Sequence, residues 1–472
     1  MNKVSFGLML LGLCLVSNSV NAQTPRYTEG QIMVRLAGSS NLDDARQQLN
    51  NANYEVVEAL VPSLGLYLVK LKGIKVEQAL FQMQRMNSVI YAQADHNVTQ
   101  RDTTPNDPEF AQQWGLNNSG KSGADISALK AWEFGTGGTD RAGNEIVVAV
   151  VDGGVDITHK DLADNIFVNK EEIPDNGTDD DGNGFIDDVN GWNAYNDSGK
   201  IPAERHGTHV AGIIGASGNN GSHVVGVNWK VKVMPVAASS SKTSVIAKGY
   251  GYVIAQKKLW IESNGAKGAN VVATNSSFGV DYADCTSGEY PAWNDLYNEM
   301  GRLGILSAAA APNINIDVDT KGDVPTGCSS EFIVKVTNTD SSDKKYTSAG
   351  FGKTMIEIGA PGTKVHSTLP GNKSGSLTGT SMATPHIAGA VAFLHSVASD
   401  SLHQAIKQDP AAGARAVKLM LLEGVDKLAD LEGKIVSGGR LNLFNAANAA
   451  RNFSAEGEEP GEGGDDLRIR RH

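Results

Sequence analysis

The stretch Ile146-Val147-Val148-Ala149-Val150-Val151, followed at once by Asp152-Gly153-Gly154, decides the fold of this chain. An unbroken run of β-branched and small apolar residues is typical of a strand that is buried on both faces of a parallel sheet. Runs of this kind alternate with helical patterns further along, which indicates an α/β fold with a doubly wound, mainly parallel central sheet. The predicted strands lie at 231–236, 271–276, 305–310, 333–336 and 355–358, and the predicted helices at 210–216, 243–257, 293–303, 382–397 and 414–423.

A second, smaller pattern lies between Gln31 and Asp95. Its strands and helices follow in the order β-α-β-β-α-β, which is the order of a ferredoxin-like α+β unit. A unit of about 65 residues is only marginally stable alone. The polar stretch 100–109, with Pro105 and Pro108, is predicted to link the two units. The predicted strands of the small unit are 31–36, 54–61, 66–71 and 89–92, and its helices are 42–52 and 76–86.

Both ends of the chain carry segments that we predict to lie outside these units. Lys3 precedes an apolar run over 4–16, and Val20-Asn21-Ala22 offers a cut after a small residue, as in a secretory signal peptide. The run is too short to span a bilayer comfortably, and Leu13 before Cys14 is unlike the small residue that lipoprotein processing needs. We therefore predict a signal peptide over 1–22, export to the periplasm or the medium, and a disordered acidic tail over 454–472.

Composition excludes several classes of protein. With 472 residues, of which 40% are hydrophobic and 20% charged, the chain can bury a large core. Its 53 acidic residues exceed its 41 basic ones and give a net charge of −12, which argues against a nucleic-acid partner. Once Cys14 leaves with the signal, Cys285 and Cys328 remain, and an even pair in an exported chain favours a disulfide, with two free thiols as the alternative.

Three glycine-marked motifs lie at predicted junctions of strand and helix. They are the stretch ending in Asp152-Gly153-Gly154, His206-Gly207-Thr208-His209-Val210-Ala211-Gly212, and Gly379-Thr380-Ser381-Met382-Ala383-Thr384-Pro385-His386. Taken singly, each has an ordinary interpretation. The carboxylate could cap a loop, the serine could cap a helix, and the two histidines could bind zinc or only begin a helix, although their spacing with no third ligand fits zinc poorly.

Taken together, the three motifs indicate nucleophilic catalysis. A serine hydroxyl is a weak nucleophile until a base removes its proton, and an imidazole with a pKa near neutrality can do so. A buried carboxylate holds the imidazole in the correct tautomer. Because strand ends and helix starts meet at one crevice of a doubly wound sheet, we expect Asp152, His206 and Ser381 to come together.

The wording and the Asp, His, Ser order of these motifs resemble the subtilisin family of serine endopeptidases. The resemblance covers most of 106–453 and implies that Asp152 orients, that His206 is the base and then the acid, and that Ser381 attacks. Gly153 stands where the family usually has Ser or Thr, from which we expect tuning rather than inactivity. An esterase of the α/β-hydrolase type is disfavoured, because its Ser, Asp, His order and its G-x-S-x-G elbow are absent.

Two further stretches are similar to substrate-binding parts of the family. The last three residues of Asn275-Ser276-Ser277-Phe278-Gly279 are expected to pair with the extended backbone of the substrate. Ala308-Ala309-Ala310-Ala311-Pro312-Asn313 is similar to the block whose Asn donates to the oxyanion, which makes Asn313 the expected donor. Pro312 replaces the usual Gly, and nearby Asn315 is a rival for this role.

An acidic stretch predicts a calcium loop. Residues 179–188 have the oxygen-ligand spacing of an EF-hand-like loop, with a solvated acidic loop as the alternative. Position twelve of the loop is Asn190 rather than Glu, so Asp188 is expected to contribute in its place. The expected ligands are the side chains of Asp179, Asp181, Asn183, Asp187 and Asp188 and the carbonyl of Phe185. His159-Lys160-Asp161-Leu162 and Asn219-Asn220 are similar to parts of a second calcium site of the family, with Asp161 and Asn220 as expected ligands.

The small unit resembles the inhibitory propeptide of the same family, which chaperones folding and is then removed. The resemblance implies a propeptide over 23–103, cut between about His96 and Asn106, whose tail leads into the active-site cleft of a catalytic domain over 104–453. A permanent extra domain is the alternative.

The whole chain is then expected to be a secreted, calcium-stabilised, self-processing serine endopeptidase that acts on polypeptides as a monomer, without nucleic-acid or membrane partners. The rival is a non-catalytic subtilase scaffold that binds peptides. The preference for the substrate residue P1, whose carbonyl is attacked, is left open. Asp317, Asp319 and Asp323 lie in the region of its pocket and could favour a basic P1 residue or could bind a cation or solvent.

Overall fold

The computed structural model describes residues 27–39, 41–96, 103–239 and 242–454. The predicted signal peptide, most of the segment predicted to hold the propeptide cut, and the predicted tail beyond residue 454 lie outside the described residues. The chain divides into two compact units, one of residues up to 101 and the other from 102 onward.

The first unit has the order of elements that the sequence predicts. Its strands are antiparallel and lie in the spatial order β2-β3-β1-β4, which is the ferredoxin-like arrangement. Alternate residues of β1, Ile32, Val34 and Leu36, are buried among the residues of both helices, as the two-residue period of a strand requires. The elements are β1 (Tyr27–Leu36), α1 (Leu42–Gln48), β2 (Tyr54–Val61), β3 (Leu66–Leu71), α2 (Val76–Met83) and β4 (Val89–His96).

The second unit is built on a parallel sheet. Within the described residues the order of its nine strands is β16-β17-β13-β12-β10-β8-β5-β7-β6, and every neighbouring pair is parallel except β16 with β17. β9 pairs with β11 and β14 with β15 in separate antiparallel ladders. The strands are β5 (Val147–Asp152), β6 (Trp192–Asn193), β7 (Lys232–Ala237), β8 (Val271–Ser276), β9 (Val280–Asp281), β10 (Leu306–Ala310), β11 (Asp323–Val324), β12 (Ile333–Thr339), β13 (Ile358–Pro361), β14 (Val365–Leu369), β15 (Lys373–Leu377), β16 (Asp426–Lys427) and β17 (Gly439–Arg440).

Helices cover both faces of this sheet. Val148 and Val150 of β5 pack in a core with residues of α4 and α8, whereas Val147, Ala149 and Val151 pack in a second core with residues of α5 and α6. The predicted α/β class and the burial of β5 on both faces are therefore confirmed. The helices are α3 (Ala128–Trp132), α4 (Arg205–Gly215), α5 (Thr243–Glu262), α6 (Pro291–Arg302), α7 (Val318–Lys321), α8 (Thr380–Val397), α9 (Asp400–Gln408), α10 (Pro410–Glu423) and α11 (Leu443–Arg451).

Several predicted boundaries are wrong by a few residues, and two of them show why. The strand predicted at 355–358 begins only at Ile358, where backbone pairing with Val336 of β12 starts. The helix predicted from residue 210 begins at Arg205, because the Glu204 side chain caps it and the apolar periodicity starts a turn later than the helix itself.

A covalent link joins two loops of the second unit. Cys285, which follows β9, forms a disulfide with Cys328, which follows β11, as the even number of cysteines predicted. No helix among the described residues is long and apolar enough to cross a membrane.

Candidate active site

The predicted site residues lie at one edge of the parallel sheet. β10, β8 and β5 are neighbours in it, so their carboxyl ends point the same way. Asp152 ends β5, Ser277 follows β8, and Asn313 lies in the loop after β10. Helix α8 packs against all three strands and against α4, so the N-terminal residues of both helices, His206 and Ser381, belong to the same region.

Asp152 and His206 form a direct pair. The Nδ1 atom of His206 lies 3.0 Å from Oδ1 and 2.9 Å from Oδ2 of the Asp152 carboxylate, which is 2% exposed. The backbone N–H of Gly153 also donates to Oδ1, at 2.7 Å. Because Nδ1 donates to a carboxylate, the other ring nitrogen, Nε2, is left as the proton acceptor, which is the tautomer that a general base for serine needs.

The surroundings of His206 stabilise its charged form. Burial alone lowers the pKa of this imidazole, but the hydrogen bond and charge of Asp152 and the charge of Glu204 outweigh burial, so the pKa of His206 is raised. Arg205 acts in the opposite direction with a smaller effect. An imidazole held in this way readily takes up a proton during a reaction.

Glu204 is a site residue that the sequence analysis did not predict. Its side chain occupies the space beside Gly153. Its carboxylate accepts a hydrogen bond from the backbone N–H of Gly207 at 2.8 Å and so caps α4. A Cβ atom placed on Gly153 would lie 2.9 Å from Glu204 Cγ, closer than such contacts allow. The glutamate therefore fills the space that Ser or Thr at position 153 would need, and it brings a second carboxylate beside His206.

Ser381 is the second residue of α8 and is 9% exposed. Its hydroxyl donates to the carbonyl oxygen of Ser277 at 3.4 Å, and the Ser277 hydroxyl donates to the carbonyl oxygen of Ser381 at 3.1 Å. Among the described residues the hydrogen bond of Ser381 thus goes to the edge segment rather than to His206. Catalytic hydrogen bonds are often long in enzymes without substrate and tighten when substrate binds.

Asn313 and Asn315 have different surroundings. The Oδ1 atom of Asn313 accepts from the backbone N–H of Thr380 at 2.9 Å and from its hydroxyl at 3.1 Å, which leaves the Nδ2 donor beside Gly379. Asn315 instead accepts from the Lys345 ammonium group at 3.0 Å. The geometry therefore favours Asn313 as the donor next to Ser381.

Pro312 is accommodated without a clash. The backbone N–H of Gly350 donates to the Pro312 carbonyl oxygen at 2.8 Å. A Cβ atom at residue 350 would lie 2.8 Å from Pro312 Cδ, so the proline ring uses the space left by that glycine.

The edge segment Ser277-Phe278-Gly279 connects β8 to β9. The Phe278 ring packs beside Trp293, with ring centroids 6.3 Å apart. Gly279 has no room for a side chain, because its Cβ atom would lie 2.7 Å from the Val324 carbonyl oxygen. The segment is thus fixed at both ends, to Ser381 by Ser277 and to β11 by Gly279.

His209 does not share a ligand site with His206. Its Nε2 lies 3.0 Å from the Val365 carbonyl oxygen and 3.1 Å from that of Gly375, in the β14–β15 ladder. Burial lowers the pKa of His209 to about 3, so the ring is neutral and holds the ladder to α4. The zinc interpretation of the two histidines therefore lacks support.

The predicted calcium loop is folded around its carboxylates. Asp179 accepts from the backbone N–H groups of Gly182, Asn183 and Gly184 at 2.8–3.1 Å, and Asp181 accepts from that of Asn183 at 2.8 Å. The Asn183 side chain accepts from the N–H of Phe185 at 2.7 Å. A calcium-binding loop likewise takes its oxygen ligands from closely spaced residues of one segment.

Other predicted ligands of the loop have partners elsewhere. Asp187 accepts from the backbone N–H groups of Asn176 and Gly177. Asp188 is fully buried and accepts from Gln256 of α5 at 2.6 Å, and burial raises its pKa to about 6. The Phe185 ring packs edge-on against Trp192 and Tyr252 and so ties the loop to the core.

Glu172 supplies a carboxylate that the spacing of the motif did not reveal. It is 6% exposed, and its ligand atom lies within 4.8 Å of those of Asp179 and Asp181. It also accepts from the backbone N–H groups of Asp180, Asp181 and Asp187. Asn190, at position twelve, donates instead to the Phe167 carbonyl oxygen, so Glu172 is the additional acid of this loop.

The second predicted metal site contains one more acid than the sequence indicated. Asp161 is fully buried and accepts from the side chain of Asn220 at 3.2 Å and from the backbone N–H of Val224 at 2.9 Å. Asp107 lies nearby, and its buried Oδ1 has no hydrogen-bond partner. Burial and, to a smaller extent, the charge of Asp161 raise the pKa of Asp107, as expected for a buried carboxylate close to a second one.

Comparison with known proteins identifies the class. Residues 143–417 match the model of the subtilase family, peptidase S8, and residues 16–95 match that of the fervidolysin N-terminal prodomain. The chain therefore belongs to the subtilase family and carries an N-terminal prodomain, as the motifs led us to expect.

Individual relatives are proteases by name. An extracellular protease of Xanthomonas campestris is 32% identical over 63% of this chain and 50% of its own length, and thermitase of Thermoactinomyces vulgaris is 29% identical over 62% and 86%. Subtilisin-like protease 1 of Plasmodium vivax is 30% identical over 64% of this chain, and the match covers 47% of its length. The chain thus spans about half the length of several of these relatives.

Solved structures support the fold. A protease structure from Pseudoalteromonas arctica superposes with a TM-score of 0.52 at 24% identity, over 74% of this chain and all of the other. The epidermin leader peptide processing serine protease of Staphylococcus aureus superposes with a TM-score of 0.51 at 19% identity, over 91% of this chain and all of its own.

Proposed function

We propose that this chain is a secreted serine endopeptidase that hydrolyses peptide bonds through an acyl-enzyme on Ser381. The observation that carries the proposal is the Asp152–His206 pair at the carboxyl edge of the sheet, beside the helix whose first turn holds Ser381. Membership of the subtilase family and relatives named as proteases support the same reaction.

All the protein groups in the proposed reaction lie at this edge of the sheet. The Ser381 hydroxyl attacks the scissile carbonyl and its proton passes to Nε2 of His206, while Asp152 stabilises the imidazolium that forms. The tetrahedral oxyanion is bound by the Asn313 amide and by the N-terminal end of α8. His206 then protonates the leaving amine, and a water molecule hydrolyses the acyl-enzyme by the same steps in reverse.

The substrate is proposed to bind in extended form along Ser277, Phe278 and Gly279. An extended peptide can add a strand to an exposed edge through backbone hydrogen bonds. The mutual hydrogen bonds between Ser277 and Ser381 place the start of this edge next to the nucleophile. A peptide bound along it would present a carbonyl carbon to Ser381.

The proposal extends to the domain boundaries. We propose a signal peptide over 1–22, a propeptide over 23–103 that the enzyme removes itself, a catalytic domain over 104–453 and a tail over 454–472. The division of the chain near residue 101 and the match to a prodomain model support the second boundary.

Calcium is proposed as a structural cofactor. The 172–188 loop presents carboxylate and carbonyl oxygens, the ligands that a hard cation prefers, with Glu172, Asp179 and Asp181 closest together. Asn183, Phe185, Asp187 and Asp188 would complete the loop. At the second site, Asp107, Asp161 and Asn220 would hold a cation, and the unpartnered oxygen of Asp107 supports this assignment. Bound calcium would supply stability and no step of the reaction.

A fluorophosphonate probe tests the central proposal, because it reacts only with an activated serine. We expect labelling of the mature protein, complete loss in Ser381→Ala, and retention in Ser396→Ala. The control residue lies on the same helix, and its hydroxyl donates to the Phe393 carbonyl oxygen within that helix. A well-folded mature protein that binds peptides but takes up no probe would favour the non-catalytic scaffold instead.

Mass spectrometry of the same proteins tests self-processing. The wild type and Ser396→Ala should be cut between about residues 96 and 106, and Ser381→Ala should keep its propeptide. Correct cleavage of purified Ser381→Ala at that position would show that another protease performs the maturation.

A further inference from the structure

Three acidic residues lie in the region that could contact the side chain of P1, and they have different roles. Asp317 caps α7 by accepting from the backbone N–H of Asp319 at 3.1 Å. Asp319 accepts from the backbone N–H groups of Thr354 and Met355 at 2.8 and 2.9 Å. Both are thus engaged with the backbone, whereas Asp323 faces the edge segment.

Asp323 is a buried carboxylate with one oxygen left open. The residue is 1% exposed, and its Oδ2 accepts from the hydroxyl and the backbone N–H of Thr326. Its Oδ1 accepts no hydrogen bond in the part of the chain that the structure describes. That oxygen points to the edge segment, since a Cβ atom on Gly279 would lie 3.4 Å from it. Because residue 279 is glycine, no Cβ atom contacts this oxygen from the edge segment.

The charges around Asp323 make a cation the fitting partner. In the β9–β11 ladder Asp323 lies directly opposite Asp281, a second carboxylate. Burial, with a smaller contribution from Asp281, raises the pKa of Asp323 to about 7. The third ionisable group nearby, the Tyr297 phenol, has its pKa raised to about 12 chiefly by burial and stays neutral. A buried carboxylate of this kind is stabilised when a cationic group pairs with it.

The distance from the nucleophile suits a long side chain. Ser277 contacts Ser381, and Gly279 is two residues further on, about 7 Å along an extended segment. Lys and Arg carry their charge at the end of a flexible aliphatic stem, which can follow an apolar wall before reaching a carboxylate. Phe278 and Val324 belong to the apolar cluster beside this path.

We infer that Asp323 selects substrates with a cationic side chain, Lys or Arg, at P1. The inference rests on the proposed function and deepens it by naming the substrate class. Asp323 is in this view a specificity-determining residue and takes no part in bond making or breaking. Its Oδ1 would accept the charged group of P1 beside Gly279, in the place where the free protein has an unpaired carboxylate oxygen.

The test compares peptide amides that differ only at P1, with Arg, Lys or Phe there, on protein quantified by fluorophosphonate labelling. We expect the wild type to prefer Arg and Lys, and Asp323→Asn to lose on the order of 10²-fold in kcat/KM for them while changing less than threefold for Phe. Asp317→Asn is the matched control, because it removes the same charge from a position close by in the chain, at the other end of α7, and Asn caps helices as well as Asp does.

The pH dependence gives a second measurement. The ratio of kcat/KM for Arg to that for Phe should rise between about pH 6 and 8 as Asp323 ionises, because the titration of His206 affects both substrates and cancels. Active protein that prefers Phe, or an Asp323→Asn variant with an unchanged Arg to Phe ratio, would overturn the inference and leave the proposed function standing. Protein that neither cleaves any of the peptides nor takes up the probe would overturn both.

Discussion

Two groups of carboxylates in the second unit have different kinds of hydrogen-bond partner. Asp152 binds His206, and Glu109 binds both His223, at 3.1 Å, and His366, at 2.7 Å. In the 172–188 loop, by contrast, the described carboxylates accept hydrogen bonds mainly from backbone N–H groups and side-chain amides. The first group has histidine partners within the chain, whereas the second group, under the proposed calcium binding, would be neutralised by a cation from solution.

The largest expected effect is on kcat and comes from breaking the Asp152–His206 pair. Asp152→Asn should lower kcat by about 10⁴-fold, because Asn no longer holds Nδ1 of His206 protonated and the base loses its tautomer. The measurement is peptide hydrolysis at saturating substrate. The exposed Asp164→Asn, which changes charge by the same amount, should be unaffected. Equal activity of the two variants would show that the pair is structural.

Removal of calcium should have the next largest effect, and on stability rather than on the reaction. In the inactive Ser381→Ala background, a chelator should lower the free energy of unfolding by about 2.7 kcal/mol relative to calcium at 100 times its Kd. The melting temperature should fall by roughly 5–10 °C. Asp179→Asn should reduce this response, and the exposed Asp175→Asn should keep it. A melting temperature that stays the same when chelator is added would mean that the loop needs no cation.

The fold was largely predictable, since it rests on local patterns. The apolar run of β5 and the alternation of β1 determined both sheets, and their burial follows the two periods that the sequence carries. Helices α9 and α11 were missed because each has only nine residues and their caps, Ser399 and Asn442, look like ordinary loop residues.

The sequence indicated site residues only where residues of suitable chemistry also had a recognised spacing along the chain. The roles of Asp152, His206 and Ser381 stay predictions that their geometry supports. Asp107 could not be found, because it lies far along the chain from Asp161 and Asn220 and no local spacing links them. Glu172 was missed because it precedes Asp179, where the recognised ligand spacing begins. The choice between Asn313 and Asn315 as the oxyanion donor likewise depended on the structure, in which Asn313 contacts the start of α8.

The hydrogen bonds of Glu109 with His223 and His366 should contribute less to the free energy of unfolding, and calcium should not change their contribution. Burial acts against ionisation of this carboxyl, but hydrogen bonds from Ser374, His366 and His223 outweigh it and lower the pKa of Glu109 to about 2. A lowered pKa means that the stabilisation is complete above the unfolded pKa, near 4.3, and is lost as the pH falls towards 2.

Glu109→Gln should therefore cost about 1–3 kcal/mol of unfolding free energy at neutral pH, measured by urea denaturation in the Ser381→Ala background. The loss should be equal with and without calcium. A loss that disappears on chelation would instead place Glu109 in the same group as the loop carboxylates.

The smallest expected effect is on the pH dependence of kcat/KM and comes from Glu204. This carboxylate has features of both groups, because it accepts a backbone hydrogen bond as a helix cap and also lies beside a histidine, His206. Glu204→Gln keeps an oxygen for the cap and removes the charge. Since that charge raises the pKa of His206, its loss should move the acid limb of kcat/KM to lower pH by less than about one unit. An acid limb that stays in place, with stability unchanged, would leave Glu204 with its capping role alone.

The disulfide has a consequence for when the protein can work. Cys285 and Cys328 fasten the two loops that flank the β9–β11 ladder, and Asp323 and Gly279 lie on that ladder and beside it. Sulfur–sulfur bonds form in oxidising compartments and are rare in the cytosol. Under the proposed function and export, we expect the substrate-binding rim to become firm only in an oxidising compartment outside the cytoplasm, which would spare the proteins of the producing cell.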